Sequence, residues 1–131
     1  MQEHGSFTIR ITGQLILVQA FGAWNYETAK RFCIEYKAAA QSLIQEPWAC
    51  LLDLSKWELA TPDIRALVED RNTWANRNNQ KYEVVICLSP LQRYLIEKML
   101  NNLNNIKLSF FKEKSEALNW LRSVNFDLQC A

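Results

Sequence analysis

Apolar and polar residues alternate strictly from Phe7 to Thr12, with Phe7, Ile9 and Ile11 set against Thr8, Arg10 and Thr12. That period of two predicts a half-buried strand. Gly13 and Gln14 supply a short turn, and the apolar run Leu15 to Ala20 predicts the partner strand of a hairpin. Gly22 is expected to break this second strand, and Asn25 to cap the helix that follows. From Tyr26 to about Gln45 the period becomes helical: Ala29, Phe32, Cys33, Tyr36, Ala40, Leu43 and Ile44 fall on one stripe, with Lys30, Arg31, Glu35 and Lys37 opposite. Glu46-Pro47 ends the helix, because a residue before proline avoids the α region.

The continuous apolar run Ala49 to Leu54 predicts an interior strand covered on both faces. Thr61-Pro62 reads as a cap with proline at the first helical position, and Asp63 suits the positive end of the helix dipole. Ile64, Leu67, Val68, Trp74 and Ala75 are the expected buried stripe of this second helix. Glu83 to Leu88 is a further interior strand. Ser89-Pro90 repeats the cap device and opens a third helix through Leu91, Tyr94, Leu95, Lys98 and Met99, with Leu91 and Ile96 widening its apolar face. Ile106 to Phe111 is the last strand, and Ser115 is expected to cap a fourth helix bearing Ala117, Leu118, Leu121 and Val124. Strands separated by helices require parallel pairing through right-handed crossovers. The expectation is one α/β domain over residues 1–131: a mixed sheet of about five strands with an N-terminal β-hairpin and about four helices.

This order of elements resembles the STAS domain, the fold of bacterial anti-sigma-factor antagonists of the SpoIIAA type. Leu51 to Leu67, LLDLSKWELATPDIRAL, is similar to the family's hydrophobic strand, Asp-Leu and following helix start. Phe111 to Leu121, FKEKSEALNWL, is similar to its closing helix. The family's Asp-Ser-Ser-Gly-like motif would fall on Thr61, Pro62, Asp63 and Ile64, so proline and aspartate stand at both serine positions. The resemblance thus implies the fold and a bacterial regulatory role without the usual phospho-serine. It leaves Ser55 or Thr61 as substitute phosphorylation sites in an antagonist, and its likeness to part of lipid-transfer domains implies a carrier of a small apolar ligand as a third role.

Composition narrows the function classes. The chain has 131 residues, and fifteen basic against fourteen acidic residues leave a formal charge of +1, so no basic stripe points to nucleic acid. No apolar run approaches the length of a membrane span, and the polar start MQEHGSFTIR does not look like a signal peptide, which together predict a cytoplasmic protein. Cys33, Cys50, Cys87 and Cys130 lack CxxC spacing and suit buried thiols in a reducing compartment. The single histidine, His4, and the three glycines provide neither a nucleophile's base nor a phosphate-cradling loop. No catalytic residue, cofactor or metal site is therefore predicted.

Function is expected where open α/β sheets place it, beyond the carboxyl ends of the strands. One loop brings Asp53, Ser55, Lys56, Trp57, Glu58, Thr61 and Asp63 to that edge, and the next brings Ser89, Gln92 and Arg93. Asp53, Ser55, Trp57, Thr61, Asp63, Ser89 and Arg93 are the candidate contacts for a protein partner. Thr61 and Ser89 are also sufficiently explained as caps, Trp57 as a lid over the core, and Asp53 as an acceptor for backbone amides. Trp24 and Trp57 are expected at the surface, whereas Trp48, Trp74 and Trp120 are expected in the core.

Overall fold

The computed structural model describes residues 2–124 and residue 126. Strand β1 (Ser6–Thr12) and strand β2 (Leu15–Trp24) form the hairpin, in antiparallel register from Ser6–Phe21 to Thr12–Leu15. Gly13 opens the two-residue turn at φ 57°, a left-handed conformation that glycine takes without strain and that matches the twist of the flanking strands. Helix α1 (Tyr26–Ala40), strand β3 (Trp48–Ala60), helix α2 (Arg65–Arg77), strand β4 (Gln80–Ile86), helix α3 (Pro90–Met99), strand β5 (Lys107–Phe111) and helix α4 (Lys114–Ser123) follow. The sheet order is β1-β2-β3-β4-β5, and every pair after the hairpin is parallel. The mixed five-stranded sheet and four helices agree with the expectation.

Because each crossover steps to the adjacent strand with one handedness, α1, α2 and α3 share one face of the sheet. There Ile16, Val18, Cys50, Leu52 and Val85 pack under Phe32, Tyr36, Ile96 and Leu100. The other face is covered by α4, whose Ala117, Leu118 and Leu121 meet Leu15, Leu17, Leu51, Val84 and Ile86. The alternation of strand side chains thus builds two cores from one sheet. Among the described residues, no helix is long and apolar enough to cross a membrane.

Several local expectations are corrected. Gly22 does not end β2; at φ 72° it sits at an irregularity where the β2–β3 register shifts, and the strand continues to Trp24. Helix α1 stops at Ala40, and the carbonyls that follow are taken by side chains: Gln14 Nε2 donates to Leu43 O, and Asn79 Nδ2 to Ile44 O. Ser115 does not cap α4, which begins at Lys114 with no side-chain cap bond. The stripe of α2 is polar at its centre. Arg71 and Asn72 are buried there with Ala75, while Leu67, Val68 and Trp74 are half-buried.

Those polar residues are tolerated because they are bonded. Arg71 Nη2 meets Glu83 Oε1 at 2.5 Å in a pair with almost no solvent exposure. Gln80 Nε2 donates to the same carboxylate oxygen at 2.7 Å, and Tyr36 OH donates to Gln80 Oε1 at 3.0 Å. Asn72 Nδ2 reaches Met99 O and Asn102 Oδ1, tying α2 to the end of α3. Cys33, Cys50 and Cys87 are free and buried as expected, and Cys130 lies outside the described residues. Burial pushes all three thiols upward, away from the low pKa a reactive thiolate needs.

Candidate functional site

Strands β2 to β5 all point their carboxyl ends to one edge, but what stands there is not two loops. Strand β3 runs six residues past the predicted Leu54, so Ser55, Lys56, Trp57 and Glu58 belong to a strand paired with the end of β2. Phe21 pairs with Lys56, Gly22 with Trp57 and Trp24 with Ala60. The pairing uses the backbone groups of the supposed recognition loop on its β2 side, and the Trp57 ring is turned inward. Trp57 is 6% exposed and Trp24 is 7% exposed, so neither is a surface aromatic, and Trp57 fits the alternative of a lid over the core. Their rings meet edge to face at 6.1 Å, and Phe7 and Phe32 complete an aromatic plug at this end of the core. Trp48 is fully buried as expected, and Trp74 and Trp120 are half-buried.

The remaining candidates divide by what holds them. Asp53 Oδ1 accepts the Ser55 amide at 3.0 Å and the Ser55 hydroxyl at 2.6 Å, so Asp53 does bond a backbone amide. Thr61 and Asp63 are exposed and bonded to each other, the Thr61 hydroxyl donating to Asp63 Oδ1. Thr61 is not a side-chain cap: a single 3-10 turn, Pro62–Ile64, intervenes before α2. Ser89 is one, its Oγ accepting the Gln92 amide at 3.0 Å. Replacing Ser89 with alanine is therefore expected to cost about 1 kcal/mol in urea unfolding. Thr61→Ala, which removes no helix N–H bond, should stay within about 0.5 kcal/mol.

Gln92 joins β3 to α3. Its Nε2 donates to Leu54 O at 2.8 Å and to Trp57 O at 3.0 Å, while its Oε1 accepts the Leu88 amide at 3.2 Å. Arg93 lies outside this bracket, paired with Glu97 at 2.8 Å and stacked 4.7 Å over the Phe110 ring. Ser89 and Arg93 thereby line one open depression of about 430 Å³ with Cys87, Leu88, Phe110 and Lys112. Thr61 lines a second of about 250 Å³ on the other side of α3, with Leu59, Pro62, Leu95 and Lys98. Asp53 belongs to neither; it faces a third depression, with Arg10, Gln19 and Lys114, on the α4 side of the sheet. The predicted contacts are thus spread over three places.

The helix between the first two depressions carries what the sequence reading placed differently. Of the residues expected on the apolar face of α3, Ile96 is buried and Leu95 and Met99 are half-buried, Met99 packing on the core, while Leu91, Tyr94 and Lys98 are exposed; Leu100 continues the buried stripe. Leu91 is 65% exposed, Tyr94 56% and Leu88 56%. Leu91 and Tyr94 lie three residues apart, on one face of the helix, and Lys98 stacks 4.7 Å from the Tyr94 ring. The wide apolar face was legible, but not which part of it turns outward.

Fold comparison places these features in context. A protein of the DUF3478 family from Shewanella loihica PV-4, uncharacterized and described as having a SpoIIAA-like fold, superposes with a TM-score of 0.73 at 17% identity, over 92% of this chain and 98% of that one. The chain has the SpoIIAA-like fold. The anti-sigma factor antagonist SpoIIAA, in its unphosphorylated form, matches with a TM-score of 0.66 at 12% identity, over 89% of this chain and 98% of its own. No family model matches the sequence, and no curated protein matches it. The SpoIIAA-like fold agrees with the resemblance drawn from Leu51 to Leu67 and from Phe111 to Leu121.

Proposed function

We propose that the chain is a non-catalytic module that binds a protein partner through the outer face of α3 and the β4–α3 junction. The observation that carries this reading is the exposure of Leu88, Leu91 and Tyr94 together, large apolar side chains that folding leaves in water. Neighbouring apolar residues exposed beside charged ones mark contact surfaces more often than lone ones do. Arg93 and Lys98 border them, and Ser89 and Gln92 fix the helix start that presents them. Among the earlier candidates, Ser89 and Arg93 stay within reach of this surface; Trp57 serves the core beneath it. The upward shift of the buried thiols supports a non-catalytic role.

The test is affinity capture from the source cells with the wild-type chain and with a Leu91→Asp, Tyr94→Glu variant. Both positions are exposed, so the variant is expected to unfold at the wild-type denaturant midpoint. It should lose at least about tenfold of any specifically retained protein, since burying an unpaired charge in a contact costs more than 1.4 kcal/mol. Equal retention by both proteins would refute the placement. A phosphorylation switch receives less support: Ser55 is held by Asp53 and Thr61 by Asp63, so a carboxylate opposes added phosphate at each hydroxyl.

A second reading, a carrier of a small apolar ligand, rests on one cavity between the sheet and the helices. It is walled by Trp24, Phe32, Leu54, Trp57, Arg71 and Ile96, and among the described residues the buried donors Trp57 Nε1 and Arg71 Nε have no partner. Its volume of about 50 Å³ admits only a few non-hydrogen atoms, which favours the interaction module over a lipid carrier. Native mass spectrometry of gently purified protein decides: a bare polypeptide mass supports the module, and a mass excess lost on denaturation supports the carrier.

A further inference from the structure

Strand β1 is the outermost strand on one side of the sheet. Edge strands are normally blunted by short length, proline, bulges or a covering element, because a free edge offers unpaired amides and carbonyls to another strand. The opposite edge follows that rule, since β5 has only five residues and begins with exposed Lys107. β1 does not. It has seven residues, contains neither proline nor glycine, and pairs with β2 without a register shift. The two-residue turn makes Thr12 and Leu15 a mutually hydrogen-bonded pair, so Ser6, Thr8, Arg10 and Thr12 direct their backbone groups to β2, and Phe7, Ile9 and Ile11 direct theirs outward. No hydrogen bond among the described residues reaches the outward groups of those three. The preceding segment does not cover them either: Gly5 packs against Phe21 and Trp24, and the His4 amide bonds Asn25 and Thr28 at the start of α1.

We infer that β1 is a dimerisation edge, pairing antiparallel with β1 of a second copy of this chain about a two-fold axis at Ile9. The strand is self-complementary in that register. Ile9 faces Ile9, Phe7 faces Ile11, and Thr8 faces Arg10 of the copy, so apolar residues meet on one face and no like charges stand opposite on the other. Pairing centred on Arg10 would set two guanidiniums face to face. Pairing centred on Thr8 would place Ile11 opposite Gly5 and waste the end of the strand. The Ile9-centred register uses all seven residues, makes about six backbone hydrogen bonds, and gives Ile11, now 37% exposed, an aromatic neighbour. An edge contact of this length buries less than the roughly 1,200 Å² of a stable complex, so the dimer is weak and grows with concentration.

Sedimentation velocity of the full chain, from low micromolar to near-millimolar concentration, tests the inference. A monomer–dimer equilibrium is expected. Thr8 is exposed, and Thr8→Arg sets a second cation opposite Arg10 at both symmetric positions, raising the dissociation constant about tenfold; Thr8→Glu lowers it by a similar factor. A protein that stays monomeric throughout, or a dimer indifferent to both substitutions, overturns it. So does a dimer abolished by Leu91→Asp with Tyr94→Glu, which would place the contact on α3.

Discussion

Replacing Arg71 with methionine is expected to lower the unfolding free energy by about 3–5 kcal/mol, the usual cost of leaving one member of a buried ion pair without its partner. Glu83 has no exposed surface, and its Oε1 accepts from both Arg71 Nη2 and Gln80 Nε2. Removing the guanidinium also withdraws a cation stacked 4.5 Å from the Tyr36 ring and a donor to the Tyr36 hydroxyl. The double substitution Arg71→Met with Glu83→Leu should recover most of that loss, because burying a charge pair is itself costly and an apolar pair of similar volume avoids it. Among the described residues, neither Arg71 Nε nor Glu83 Oε2 has a hydrogen-bond partner, so the native pair does not even use its full bonding capacity. Urea unfolding of the wild type, both singles and the double forms a closed cycle. A single-variant cost below about 1 kcal/mol would mean that water or another group reaches the carboxylate, contrary to its burial.

The same pair shows why part of this fold was legible in the sequence and part was not. Period-two alternation in Phe7 to Thr12 and continuous apolar runs in β3 and β4 announced their strands, because a strand's burial is written on alternate residues. The caps of α1 and α3 were legible because Asn25 and Ser89 each bond the helix amide three residues on, a local event. Arg71 was invisible for the opposite reason. Its burial depends on Glu83, twelve residues away and on another element, and a hydropathy stripe assigns it to solvent. The extension of β3 was hidden likewise: Ser55 to Glu58 look like a polar loop, and only the irregular end of β2, with Gly22 in the left-handed region, gives them a partner to pair with. That error moved the candidate site. Once Trp57 turns inward, the most exposed large apolar residues at this edge, Leu88, Leu91 and Tyr94, come from α3 and the residues just before it, where amphipathic spacing alone does not say which of two apolar flanks meets the sheet.

Trp57 carries two sequence readings, a recognition residue and a lid over the core, and two substitutions separate them. Trp57→Ala removes a large ring from the plug formed with Trp24, Phe7 and Phe32 and is expected to cost about 3–5 kcal/mol, with a loss of near-ultraviolet dichroism as the aromatic cluster loosens. Trp57→Phe keeps an aromatic ring in the same place and deletes an indole N–H that has no acceptor, so the lost volume and the relieved donor oppose each other and the net change should stay within about 1 kcal/mol. A recognition tryptophan behaves the other way: truncation weakens the complex while leaving the free protein's stability nearly unchanged. With 6% of the residue in contact with water, there is too little surface for a partner to grip, so partner capture should survive Trp57→Phe at wild-type level. If capture fell while the unfolding midpoint held, the Trp57 ring would have to turn outward on binding, and the β2–β3 pairing at Gly22 and Trp57 would have to open with it.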